Sequence, residues 1–128
     1  MAPPNDRRYT RSHVWARESD GGDVRLGLTH VPGAFLGDAV YVELPAVRTE
    51  VVSGEPIALV ESSSAVCEVV APVSGVVVET NGAAERSPEK ITADPYGEGW
   101  LVTIRPADPA ELSSLLTGEE YDRLAGET

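Results

Sequence analysis

Val24, Leu26 and Leu28 occupy alternate positions in "VRLGLT" (24–29), the period-two pattern of a strand with one buried face. The preceding "SDGGD" (19–23) predicts a hairpin turn, because its two glycines tolerate positive φ. "DAVYVELP" (38–45) alternates again and puts Val40, Val42 and Leu44 on one side. Further on, "GEPIALVESSSAVCEVVAPVSGVVVETN" (54–81) predicts three β-rich runs, Ile57–Glu61, Ala65–Ala71 and Gly75–Thr80. "GWLVTIRP" (99–106) is a last strand, ended by Pro106. Between these runs, "ERSPEKITADP" (85–95) reads as a loop.

The pattern changes at the C-terminus. "DPAELSSLL" (108–116) offers Asp108 as a helix cap, Pro109 at the first helical position and Glu111 three residues after the cap. "TGEEYDRLAGE" (117–127) repeats the device with Thr117 and Glu120, and Leu112, Leu115 and Leu116 form an apolar stripe. Many short strands separated by glycine and proline, closed by two short helices, predict a mainly β sandwich or barrel with the helices outside. Residues 1–8 are proline-rich and polar and are expected to fray, leaving 9–128 as a single domain.

Composition narrows the function. The 128 residues carry 10 basic and 21 acidic side chains, a formal net charge of −11. Such a charge repels phosphate backbones and anionic membrane surfaces, which argues against nucleic-acid or membrane partners. No apolar run reaches the ~20 residues of a membrane span, and the N-terminus has no apolar core of a secretory signal. A lone cysteine, Cys67, forms no internal disulfide, which suits a reducing cytoplasm. No His/Cys cluster has metal-ligand spacing, and no carboxylate pair sits in an acid/base motif. These features predict a non-enzyme with no metal.

Six segments carry a family resemblance: "YTRSHVW" (9–15), "GLT" (27–29), "LGDAVYVELP" (36–45), "ESSSAVCE" (61–68), "APVSG" (71–75) and "DPYGEGWL" (94–101). In order and spacing they resemble the H protein of the glycine cleavage system from Tyr9 to about Leu124. The resemblance implies a lipoyl/biotinyl-type barrel-sandwich hybrid. It also implies a hairpin whose tip lysine carries lipoate among the enzymes of glycine cleavage. Aligned with the family pattern Glu-Ser-x-Lys-x-x-Ser-Asp, "ESSSAVCE" puts Ser64 at the attachment lysine and Cys67 at its serine. Glu61 and Gly75 match the glutamate and glycine that flank the site, so Glu61, Ser62, Ser63 and Gly75 form the expected recognition hairpin. Val14 and Val31 stand where the resemblance implies two residues that shelter the arm, and Pro32-Gly33 disfavours the helical turn expected next.

Ser64 offers no amine, and the only lysine, Lys90, lies far away in "ERSPEKITADP", as a solvated loop charge. The lipoate expected in the family is therefore predicted absent, and no other cofactor is called for. The leading reading is a monomeric, non-lipoylated module that docks aminomethyltransferase-like or lipoyl-handling enzymes. Its alternatives are an arm-free carrier of sulfur or an acyl group on Cys67 in a specialised biosynthetic pathway, or an engineered, unloadable H protein. Alternation puts Cys67 with Ala65 and Val69 on the more apolar face, which predicts a buried, inert thiol.

Overall fold

The structure is a computed structural model that describes residues 2–126. Nine strands follow one another along the chain: β1 (Arg8–Tyr9), β2 (Val14–Glu18), β3 (Val24–Leu28), β4 (Tyr41–Glu43), β5 (Glu50–Val51), β6 (Pro56–Glu61), β7 (Val66–Val70), β8 (Gly75–Thr80) and β9 (Val102–Pro106). They form a six-stranded sheet in the order β1-β2-β3-β9-β8-β5 and a three-stranded sheet in the order β4-β6-β7. Every pairing is antiparallel. Five short helices decorate the sheets: α1 (His30–Leu36), α2 (Gly82–Arg86), α3 (Glu89–Ala93), α4 (Ala110–Ser113) and α5 (Gly118–Gly126). None is long and apolar enough to cross a membrane.

Both sheets supply one aliphatic core. Val14, Ala16, Leu26, Leu28, Val77 and Ile104 from the large sheet join Val42, Val60 and Val69 from the small one. Each full burial of such a side chain is worth about 1.5–3 kcal/mol. The alternation in "VRLGLT" is realised, with Val24, Leu26 and Leu28 all buried. On the other face of β2, Trp15 joins Tyr9 and Tyr121 in a second buried cluster, so this strand is covered on both sides. α5 supplies Tyr121, whose ring stacks on Tyr9 at 4.8 Å.

Several local expectations are revised. Val40 lies outside β4 and is exposed, although its N–H donates to the Glu61 carbonyl at 2.8 Å. α1 forms despite Pro32-Gly33: Thr29 caps it, and Pro32 falls in the first turn, where no backbone N–H is needed. The segment read as a loop around Lys90 holds the end of α2 and all of α3; Asn81 caps α2 through the N–H groups of Ala83 and Ala84. Asp108 does accept from Ala110 N at 3.0 Å, but the Glu111 carboxylate leaves its own helix and accepts from Ser74 N at 2.8 Å. Thr117 and Glu120 form the expected reciprocal cap, at 2.9 and 3.2 Å.

Residues 2–8, expected to fray, have partners in the domain. Pro3 is buried, the Pro4 carbonyl accepts from the Tyr9 hydroxyl, and the Arg7 side chain is 6% exposed. Arg7 lies over the Trp15 ring at 4.7 Å and Tyr96 at 5.5 Å, a cation sandwiched by aromatic faces.

Gly75 opens β8 between Val51 and Pro106, and a Cβ built there would overlap the Arg105 carbonyl. Gly75→Ala is therefore expected to lower unfolding stability by about 2–3 kcal/mol. Urea denaturation should show an earlier midpoint with an unchanged slope; an unchanged midpoint would mean the β8–β9 contact relaxes at no cost.

Candidate functional site

The β6–β7 hairpin builds the candidate site. Its strands stay paired to the last residue, with Glu61 opposite Val66 and Ser62 N donating to Ala65 O at 2.9 Å. Ser62 is buried, and its hydroxyl accepts from Ser64 N at 3.3 Å and Ala65 N at 3.1 Å. This side-chain turn fixes the backbone and leaves Ser63 and Ser64 as the two exposed residues of the tip.

Strand register sorts the hairpin's side chains. Val42, Val60 and Cys67 pair in one row on the core face. Two other rows face outward, Tyr41–Glu61–Val66 and Glu43–Leu59–Glu68. Tyr41 is 48% and Val66 59% exposed, large values for apolar side chains. Leu59 lies between Glu43 and Glu68, and these three line an open groove of about 410 Å³ together with Leu44, Pro45 and Ile57. None of the three strands contains a Lys, Arg or His. Two carboxylates separated by two strand spacings, roughly 10 Å, repel by only a few tenths of a kcal/mol in water. The fold therefore sustains this uncompensated acidic face without help.

The expected recognition residues separate. Glu61, Ser62, Ser63 and Ser64 share the tip, whereas Gly75 belongs to the other sheet, where backbone packing accounts for it. Cys67 sits on the core face with Val69, as alternation predicts, but it is half-buried where full burial was expected. Its place in the last pairs of the three-stranded sheet leaves one side open. Burial first, and the Glu68 carboxylate second, push its thiol above the ordinary cysteine range.

The two positions matched to arm-sheltering residues are apolar and engaged. Val14 is fully buried in the aliphatic core, and Val31 packs on the aromatic cluster. His13 has a left-handed backbone, φ 68°, and its Nδ1 lies 2.7 Å from the Tyr121 hydroxyl, which also meets Thr29 Oγ1 at 2.7 Å. Burial pushes the His13 pKa below its ordinary value. Trp15 Nε1 donates to the Pro95 carbonyl at 2.9 Å. These side chains hold structure together. No group of three potential metal ligands occurs among the described residues.

The outward rows are what sequence reading missed. Only Glu43 falls on the polar phase of an alternating run, whereas Glu61 shares its phase with Ile57 and Leu59 and Glu68 with Val66 and Val70. Only the register shows that the phases of three strands coincide.

The family model for the glycine cleavage H-protein matches residues 7–128. The glycine cleavage system H protein of Bacillus velezensis is 42% identical over 127 residues, 99% of each chain. That of Anaeromyxobacter sp. is 47% identical over 121 residues, 94% of each chain. The crystal structure of a glycine cleavage system H protein from Mycobacterium marinum superposes with a TM-score of 0.88 at 42% identity, covering 97% of this chain and 99% of that one.

The Cys67 environment sets its reactivity. A half-buried thiol beside a carboxylate holds little thiolate at neutral pH, so native protein should react with iodoacetamide well below the rate of a free thiol. The rate should climb as pH rises past 9 and become fast at neutral pH only on unfolding. Rapid native labelling at pH 7, followed by intact mass, would contradict this account of the site.

Proposed function

The chain belongs to the glycine cleavage H-protein family, and we propose that within it this protein is a docking module that carries no lipoyl arm. The observation that carries this reading is the exposed serine at the hairpin tip. Ser64 aligns with the lysine that the family motif supplies for lipoate. An amide bond to lipoate needs an amine, and a serine hydroxyl offers only a labile ester. The chain's one lysine, Lys90, lies on α3, where its Nζ pairs with Glu98 at 3.0 Å. Val14, buried in the core, and Val31, partly buried against the aromatic cluster, present no polar atom to an arm.

What remains for a partner is surface. The outward rows offer Glu43, Glu61 and Glu68 together with Tyr41, Leu59 and Val66, an acidic border around apolar contact area. That composition suits an enzyme of the aminomethyltransferase-like or lipoyl-handling kind, presenting Lys or Arg around an apolar patch. Charge complementarity speeds encounter and sets orientation, while the apolar side chains hold the complex. A cargo on Cys67 draws no support from a half-buried thiol whose pKa is raised.

Loading is tested by intact mass after co-expression with a competent lipoate ligase. The protein should show no lipoyl increment, and Ser64→Lys should gain one at least in part. An increment on the unsubstituted chain overturns the arm-free reading, whereas a folded Ser64→Lys chain that stays unmodified would show a tip the ligase no longer recognises.

Docking is tested separately. Binding to a glycine-cleavage aminomethyltransferase should weaken about fivefold to tenfold in the Glu43→Gln/Glu68→Gln double variant at low salt. Raising the salt to about 0.5 M, where charges are screened within a few ångströms, should abolish most of that difference. Equal affinity of the two proteins at low salt, by titration calorimetry, would remove the acidic face from the interface.

A further inference from the structure

We propose that the cleft between the β1–β2 turn and α5 is a binding site for a small anionic amphiphile, a carboxylate or phosphate head on a short apolar chain. The cleft measures about 370 Å³ and is lined by Arg11, Leu116, Glu120, Arg123 and Leu124. Its size falls within the range of small-molecule sites, roughly 300–1,000 Å³. It lies apart from the hairpin tip and the acidic face.

Distant parts of the chain meet there for structural reasons. Thr10 N donates to Val14 O at 2.9 Å and His13 N to Thr10 O at 3.3 Å, a tight reversal that leaves Arg11 exposed at its end. Tyr9 and Leu116 exchange backbone hydrogen bonds of 2.8 and 2.9 Å, which pin the start of the C-terminal helical segment beside β1. On α5, Glu120, Arg123 and Leu124 fall on one face by their three- and four-residue spacing.

The charges at this cleft are unusual for the protein. Acidic side chains outnumber basic ones by 21 to 10, yet neither Arg11 nor Arg123 makes an ion pair among the described residues. The carboxylate that lines the cleft, Glu120, is already engaged. It accepts from Thr117 N at 2.9 Å; that backbone bond first, then the Thr117 side chain, and more weakly the nearby charges of Arg123 and Arg8, hold its pKa below the usual carboxylate range. No carboxylate lies within ion-pair distance of either guanidinium among the described residues, so both planar forks keep donors for an external oxyanion. Leu116 and Leu124, both half-buried, give the attached chain apolar contact.

Hexanoate and hexyl phosphate are suitable probes, one for each head group, with hexylamine as the opposite charge and acetate as the head without its chain. In amide NMR titrations, at least one hexyl anion should shift residues 11, 116, 120 and 124 saturably, with millimolar affinity. Arg11→Gln and Arg123→Gln should each weaken that binding about tenfold, while Arg86→Gln, on exposed α2, should not change it. Acetate should bind several-fold more weakly than hexanoate, since buried methylenes contribute up to about fourfold each. The proposal is overturned if neither anion saturates these amides. Equal binding in both arginine variants, or equal binding of hexylamine, overturns it as well.

Discussion

The Trp15 indole occupies the space that a side chain at residue 27 would fill. Gly27 pairs with Trp15 across β2 and β3, and a Cβ there would stand 2.9 Å from the ring. Because the glycine leaves that space open, the indole can lie against the sheet on the side away from the aliphatic core. Everything that covers this outer face then assembles around the ring. Arg7 sits over it, Pro95 accepts its N–H, and Tyr9 and Tyr121 complete the cluster. The N-terminal segment, the turn before β9 and the last helix are held through this one side chain. A chain with only 5% aromatic residues concentrates much of its aromatic content there.

A second constraint fixes the three-stranded sheet. The row Val42–Val60–Cys67 faces the core, so the two flanking rows must face out, and a slip of one residue would invert all three. The Ser62 side-chain turn sets the last step of that register at the tip. The geometry of Ser64 and of the acidic rows is therefore a consequence of core packing. None of it depends on what the tip residue is.

Strand positions were largely legible because alternation carries both the element and its buried face, as in Val24, Leu26 and Leu28. The C-terminal Thr117–Glu120 cap was legible because a capping box is local chemistry. Legibility failed where a tertiary partner overrode the local signal. Glu111 left its expected cap for Ser74 N, and α2 and α3 hid in a stretch too short for a helical period. At the candidate site, the tip serine and the position of Cys67 could be read directly. The acidic face could not, because it exists only when three separate strands are brought into register.

These observations bear on how a carrier scaffold can lose its cargo. In the family pattern, attachment rests on one side chain at an exposed turn, and an exposed turn residue contributes little to folding. Exchanging it leaves the hairpin's backbone hydrogen bonds, the Ser62 turn and the core row intact. Positions 14 and 31 differ in kind, since both are packed, and apolar residues there add burial. Under the proposed reading, the tip change removes the arm at almost no cost in stability, and Val14 and Val31 fill space that no longer serves one. The acidic outer face is subject to neither effect. It is solvent-facing, and its repulsion is small and screened by salt. The fold does not require three glutamates there, which leaves this face free to serve the docking proposed for it.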